Sequence, residues 1–138
     1  MALSVDLNRE VGSAGTVFRA ALTGGVIAAV INVILFFIFQ AAGAGFIVEG
    51  APQNPSAGAM IGASIAPSIV AAIGFLILGR VTPGSAVKIF AALGVVFTLL
   101  SLGGVFGAQD TATLVCLIIA HLVAGAAITF SLVKNGTA

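Results

Sequence analysis

Asn32, Ser68, Thr98 and His121 are polar residues set inside long apolar stretches of a 138-residue chain, and His121 is its only histidine. An imidazole exchanges a proton near neutral pH, an amide offers two donors and an acceptor, and a hydroxyl both donates and accepts. In hydrocarbon such groups are costly unless they find partners, so these four are expected to form one polar layer across neighbouring helices. Two readings of that layer stand side by side. In the first it fixes the register of a bundle, each interhelical hydrogen bond contributing roughly 0.6 to 2 kcal/mol. In the second it lines a small cavity in which Asn32 and His121 contact a ligand.

Other chemistries fail on what the chain lacks. A serine nucleophile made from Ser64 or Ser68 with His121 is the least remote enzymatic arrangement. The stretch Gly62-Ala63-Ser64-Ile65-Ala66, however, lacks the second glycine of such a motif. Haem held by two histidines would need a second chain, and no Cys, His, Asp or Glu residues recur at metal-ligand spacing. Proton-coupled transport by four short helices would need a carboxylate within a span, and there is none. Cys116 is the single cysteine, which excludes an internal disulfide or Cys-x-x-Cys centre. The expectation is a non-enzymatic protein without cofactor or metal.

The elements that must position these residues follow from composition. With 60% hydrophobic residues, 7% charged residues and a mean hydropathy of +1.27, the chain has too little polar surface for a soluble globule. A helix crosses a hydrocarbon core about 30 Å thick in roughly 20 residues, and four apolar stretches meet that length, at 20–41, 60–79, 87–106 and 112–133. The predicted fold is all-α, an integral membrane four-helix bundle of up-down-up-down topology. The first stretch exceeds the roughly 7 to 15 apolar residues of a signal peptide, so cleavage in the small-residue stretch Gln40-Ala41-Ala42-Gly43-Ala44 is not expected.

Arg9, Arg19, Arg80, Lys88 and Lys134 all flank the spans on one side, whereas the other side carries Glu49 and Asp110. The positive-inside rule then places both termini in the cytoplasm. A net charge of +1 gives no reason to expect nucleic acid as a partner. Residues 1–19 are expected as a cytoplasmic tail or a short interfacial helix through Leu3, Leu7 and Val11, and 134–138 as a second tail. The outer loop, 43–59, contains Phe46-Ile47-Val48, a segment suited to the membrane interface or to another subunit. There are ten Phe but no Trp or Tyr, so the usual interfacial aromatic belt is missing. Phe36, Phe37 and Phe39 form the largest aromatic patch, for lipid or for a docking partner.

By residue count, Asn32 and His121 lie at similar depth, with Ser68 and Thr98 within about a turn of them, roughly 12 to 14 Å below the outer surface. Ser64 and Ser101 fall nearer that surface. Pro67 frees the carbonyl of Ala63 from its helical bond. Small residues recur at intervals of four: Ala20, Gly24 and Ala28, running on to Asn32; Gly58, Gly62 and Ala66; Gly103 and Gly107; Ala120 and Ala124. In lipid such rows let backbones approach closely. They predict a tight bundle within one chain or between copies.

An arginine before span one, an asparagine inside it, Ile61-Gly62-Ala63-Ser64 leading to Pro67, and Asp110-x-x-Thr113 leading to His121-Leu122-Val123-Ala124 carry a resemblance. From about Thr16 onward the chain resembles a family of uncharacterised bacterial four-span proteins of about this length. The resemblance implies a bacterial inner-membrane location and no particular activity. The expected role is a structural or accessory subunit that packs in the bilayer against other membrane proteins or its own copies. The alternative is a binding or permeation protein for a small molecule or lipid. A cavity reaching His121 from the outer side would favour the alternative.

Overall fold

The computed structural model describes residues 5–138. Four helices carry the fold: α1 (Ala14–Ala41), α2 (Ala57–Val81), α3 (Ala86–Ser101) and α4 (Thr111–Asn135). A 3-10 segment, Leu102–Gly107, continues α3 where Gly103 and Gly104 weaken α-helical propensity. With that extension, all four are long and apolar enough to cross a membrane. No strand forms among the described residues, only two isolated antiparallel bridges.

The starts of α1, α2 and α4 are set by side-chain capping. Ser13 Oγ accepts from the Thr16 amide at 3.3 Å, Ser56 Oγ from Ala59 at 3.1 Å and Asp110 Oδ1 from Thr113 at 2.7 Å. Each satisfies an amide that the first helical turn leaves unpaired. These caps move two starts outward from the hydropathy boundaries, α1 to Ala14 instead of 20 and α2 to Ala57 instead of 60. Arg19 therefore lies inside α1.

The short links predict α2, α3 and α4 as sequential neighbours, and these pairs do meet. The bundle is nevertheless organised around α1, which packs extensively against both α2 and α4, while α3 rests mainly on α4. Gly24 and Gly25 explain why. A Cβ at Gly24 would stand 2.7 Å from the Ala127 carbonyl oxygen of α4, and one at Gly25 would stand 2.6 Å from Ser68 Oγ of α2. Consecutive residues point about 100° apart on a helix, so this glycine pair brings α1 close to two partners at once. Ser131 Oγ donates to the Ala20 carbonyl at 2.7 Å and locks the α1–α4 contact. On the far side Thr98 of α3 lies over Gly125, and Thr129 of α4 lies over Gly94.

Two apolar clusters hold the ends of the bundle. Near the termini Phe75, Phe90 and Leu132 are central, and at the opposite end Phe36, Phe46 and Cys116. The aromatic patch on α1 is thus divided: Phe36 turns inward, 4.4 Å from Phe46 between ring centroids, while Phe37 is exposed.

The N-terminal segment departs from its expectation. Its described residues form neither an interfacial helix nor a loose tail; Leu3 falls outside them. Val11 bridges Thr137, the Gly12 amide donates to the Gly136 carbonyl at 2.9 Å, and the Ala138 amide donates to the Glu10 carbonyl at 2.9 Å. Arg9 donates to the carbonyls of Lys134 and Ala138 at 3.3 and 3.0 Å. At Lys134 the guanidinium satisfies a carbonyl that the end of α4 leaves unpaired.

The loop after α1 closes the other end. Ala44, Phe46 and Val48 are buried, while Gly45, Ile47 and Glu49 are exposed, the period-2 pattern of extended chain. The buried side chains face this chain's own helix ends, not a separate partner. The Glu49 amide donates to the Gly107 carbonyl at 2.8 Å, and the Gln109 amide to the Ile47 carbonyl at 3.0 Å. Asp110 Oδ2 accepts from the Gly45 amide at 3.1 Å and from Thr113 Oγ1 at 2.7 Å. Hydrogen bonds from the Thr113 amide and hydroxyl hold the Asp110 carboxyl below its ordinary value of 3.8, with the Gly45 amide adding to them. A carboxyl lowered in the folded state stabilises fully above 3.8, and that contribution is lost as pH falls through the lowered value. Hydrogen exchange at Gly45 is therefore expected to accelerate as pH drops below 3.8, after correction for intrinsic rates. Asp110→Asn should abolish this acceleration, and an unchanged profile in that variant would refute the assignment.

A groove between α2 and α4

Because α1 stands between them, α2 and α4 meet only sparsely, and the space between them is a groove of about 730 Å³ with α1 as its floor. Its walls carry small residues from two of the rows, Gly58 and Gly62 on α2 and Ala120 and Ala124 on α4, with Ala63 of α2 beside them. These rows do not close the two helices on each other. A Cβ at Gly62 would meet no atom within 4 Å. Gln53 and Ser56 stand at the mouth, and Asn32 and His121 at the deep end. His121 is ten positions into α4 from Thr111, which is about 15 Å, or half a hydrocarbon core.

Asn32 is only 4% exposed. Its Nδ2 donates to Ser64 Oγ of α2 and to the Ala120 carbonyl of α4, both at 3.2 Å. Ser64 Oγ in turn donates to the Met60 carbonyl at 2.8 Å. Asn32 Oδ1 is buried and has no hydrogen-bond partner among the described residues. His121 Nδ1 lies 2.8 Å from the Leu117 carbonyl of its own helix. That oxygen only accepts, so Nδ1 is the donor.

The four-membered polar layer is not formed. Asn32 and His121 share the groove, but Ser68 bonds within its helix to the Ile65 carbonyl and packs under Gly25. Thr98 bonds to the Gly94 carbonyl and lies on the α3–α4 seam. Ser64 takes the place assigned to Ser68, because the earlier start of α2 lowers every residue of that helix relative to α1. Among the small residues read as packing positions, Gly24 and Ala28 are buried on α1. Gly62 and Ala124 line the groove instead, and Gly103 faces open space. Gly107 packs against the backbone of Glu49 in the loop after α1, not against a helix.

Ser131 and Thr113 were not singled out as site or packing residues by sequence. Ser131 continues the four-residue spacing of Ala120, Ala124 and Ala127 only roughly, and a polar residue in such a row is the signal that points to it. Thr113 is the third residue after Asp110, the capping spacing. Among the described residues, no three His, Cys, Asp or Glu side chains gather where they would hold a metal ion.

Four long apolar helices, three of them started by side-chain caps, and a polar-floored groove define a helical protein of membrane-spanning type. The chain belongs to DUF6069, a family of unknown function whose model matches residues 12–138. No curated protein and no solved structure matches it.

Proposed function

We propose that this is a non-enzymatic, multi-pass protein of a bacterial inner membrane that binds an amphiphilic small molecule or lipid in the α2–α4 groove. The observation that carries this reading is a groove reaching Asn32 and His121 at mid-membrane depth. Its size falls within the roughly 300 to 1,000 Å³ typical of small-molecule sites. The up-down-up-down orientation with cytoplasmic termini is supported by the basic residues: Arg9 binds the end of α4 beside Lys134, and Gly79, next to Arg80, lies against Val11.

Plugging the groove tests this. Gly62→Phe places a ring in open space, so the variant is expected to keep its helix content and melting temperature. By native mass spectrometry from mild detergent, the wild type is expected as a 13.6 kDa chain with a lipid-sized adduct that Gly62→Phe has lost. Equal adducts in both proteins, or none in either, would overturn the reading. An assembly role is the second reading, favoured by the open glycines Gly103 and Gly104 beside exposed Phe106. Integral multiples of the chain mass in the same spectra would support it.

A further inference from the structure

We infer that the groove selects an uncharged lipid bearing a hydroxyl group, and that it does so because its floor presents only acceptors. The inference rests on the groove being a binding site, as proposed above.

Every donor at the floor is already used. The two amide hydrogens of Asn32 go to Ser64 Oγ and the Ala120 carbonyl, the Ser64 hydrogen goes to the Met60 carbonyl, and the His121 Nδ1 hydrogen goes to the Leu117 carbonyl. What is left over accepts. Asn32 Oδ1 is buried without a partner among the described residues, and in an uncharged imidazole with hydrogen on Nδ1 the lone pair sits on Nε2. Pro67 lacks an amide hydrogen, so the Ala63 carbonyl on the groove wall is also without its usual helical donor.

A ligand that only accepts would leave these groups unpaired and add its own unpaired oxygens. Ethers, ketones, esters and carboxylate anions are all of that kind. No Asp, Glu, Lys or Arg lines the groove, so a charged headgroup finds no counter-ion at a depth where charge is expensive. A hydroxyl in the groove satisfies His121 Nε2 by donating, Asn32 Oδ1 being enclosed by protein unless the amide shifts, and its own lone pairs demand less than a charge would. Sites built to pair a substrate hydroxyl reject the analogue lacking it more strongly than apolar pockets reject a missing methylene.

The test uses the full chain in phosphatidylcholine nanodiscs with ¹⁵N-labelled histidine, whose single residue gives an assigned reporter. The probes are hexadecanol and its methyl ether. Hexadecanol is expected to move the Nε2 resonance saturably and to be retained about tenfold more than the ether in native mass spectra, the ratio for one hydrogen bond of ordinary strength. His121→Phe is expected to bring the retention ratio toward one. Equal retention of both probes by the wild type would overturn donor selection while leaving the groove a lipid site. Retention of neither, with no ¹⁵N shift, would overturn the binding reading as well.

Discussion

Gly24→Leu is expected to destabilise the bundle by about 3 kcal/mol or more, because overpacking against rigid backbone costs at the top of the usual range. The nearest atoms to a side chain there are the Ala127 carbonyl oxygen at 2.7 Å and Ile128 Cα at 2.9 Å. Backbone atoms of a packed helix have no rotamer by which to move aside, so α1 and α4 must separate. Separation also breaks the Ser131 to Ala20 hydrogen bond and removes the floor of the groove. Equilibrium unfolding in mixed micelles measures the loss, and Gly62→Phe is the control. Both glycines sit in rows of small residues, yet only Gly24 has a helix against it. A Gly24→Leu protein as stable as Gly62→Phe would show that the α1–α4 contact is wrong.

Thr113→Val is expected to cost about 1 to 3 kcal/mol, localised to the end of the bundle away from the termini. Valine nearly matches threonine in shape, so the change isolates the hydroxyl. That hydroxyl accepts from the Phe46 amide at 2.9 Å and donates to Asp110 Oδ2 at 2.7 Å. Its loss strands a buried amide and weakens the hold on the loop that seats Phe46 against Phe36. Phe46 itself has a positive φ of 51°, a conformation costly for an aromatic residue that the loop's other bonds must maintain. Faster hydrogen exchange at Phe46, with the α1–α4 seam unaffected, is the expected signature. Exchange at Phe46 as slow as in the wild type would remove Thr113 from this role.

The four helices were legible because hydrophobic length is a local property: a run of apolar residues long enough to cross hydrocarbon stays so whatever it packs against. The basic residues were legible for the same reason, since their position relative to the runs fixes which end they occupy. Helix starts were less so. Ser13 and Ser56 act as caps outside the apolar runs, where a hydropathy boundary does not register them. The groove was partly legible, in that Asn32 and His121 were matched in depth from residue counts and do line one space.

Depth is readable from a count along one helix, but facing direction depends on how the helices rotate against each other. This is why Thr98, at a similar depth, ended on the α3–α4 seam; Ser64 and Ser68, four apart on one face of α2, differ instead by one turn of depth, and Ser64 is the one level with Asn32. Rows of small residues carry the same ambiguity. Gly24 and Gly62 look alike as sequence, since a missing side chain permits close approach without requiring it. One lies against a helix and the other opens a groove, and the difference was decided by where α1 came to rest.

By itself the sequence determined that this chain forms four apolar helices with its basic residues at one end and a few neutral polar groups at mid-depth. Those features follow from transfer free energy and residue spacing, which act on each segment alone. Only the tertiary structure decided that α1 is central, that the loop after α1 folds onto the chain's own helix ends, and that Asn32 ties α2 to α4 while keeping an unpaired acceptor. Each of these depends on contacts between segments far apart in the chain, and no local pattern encodes which faces meet.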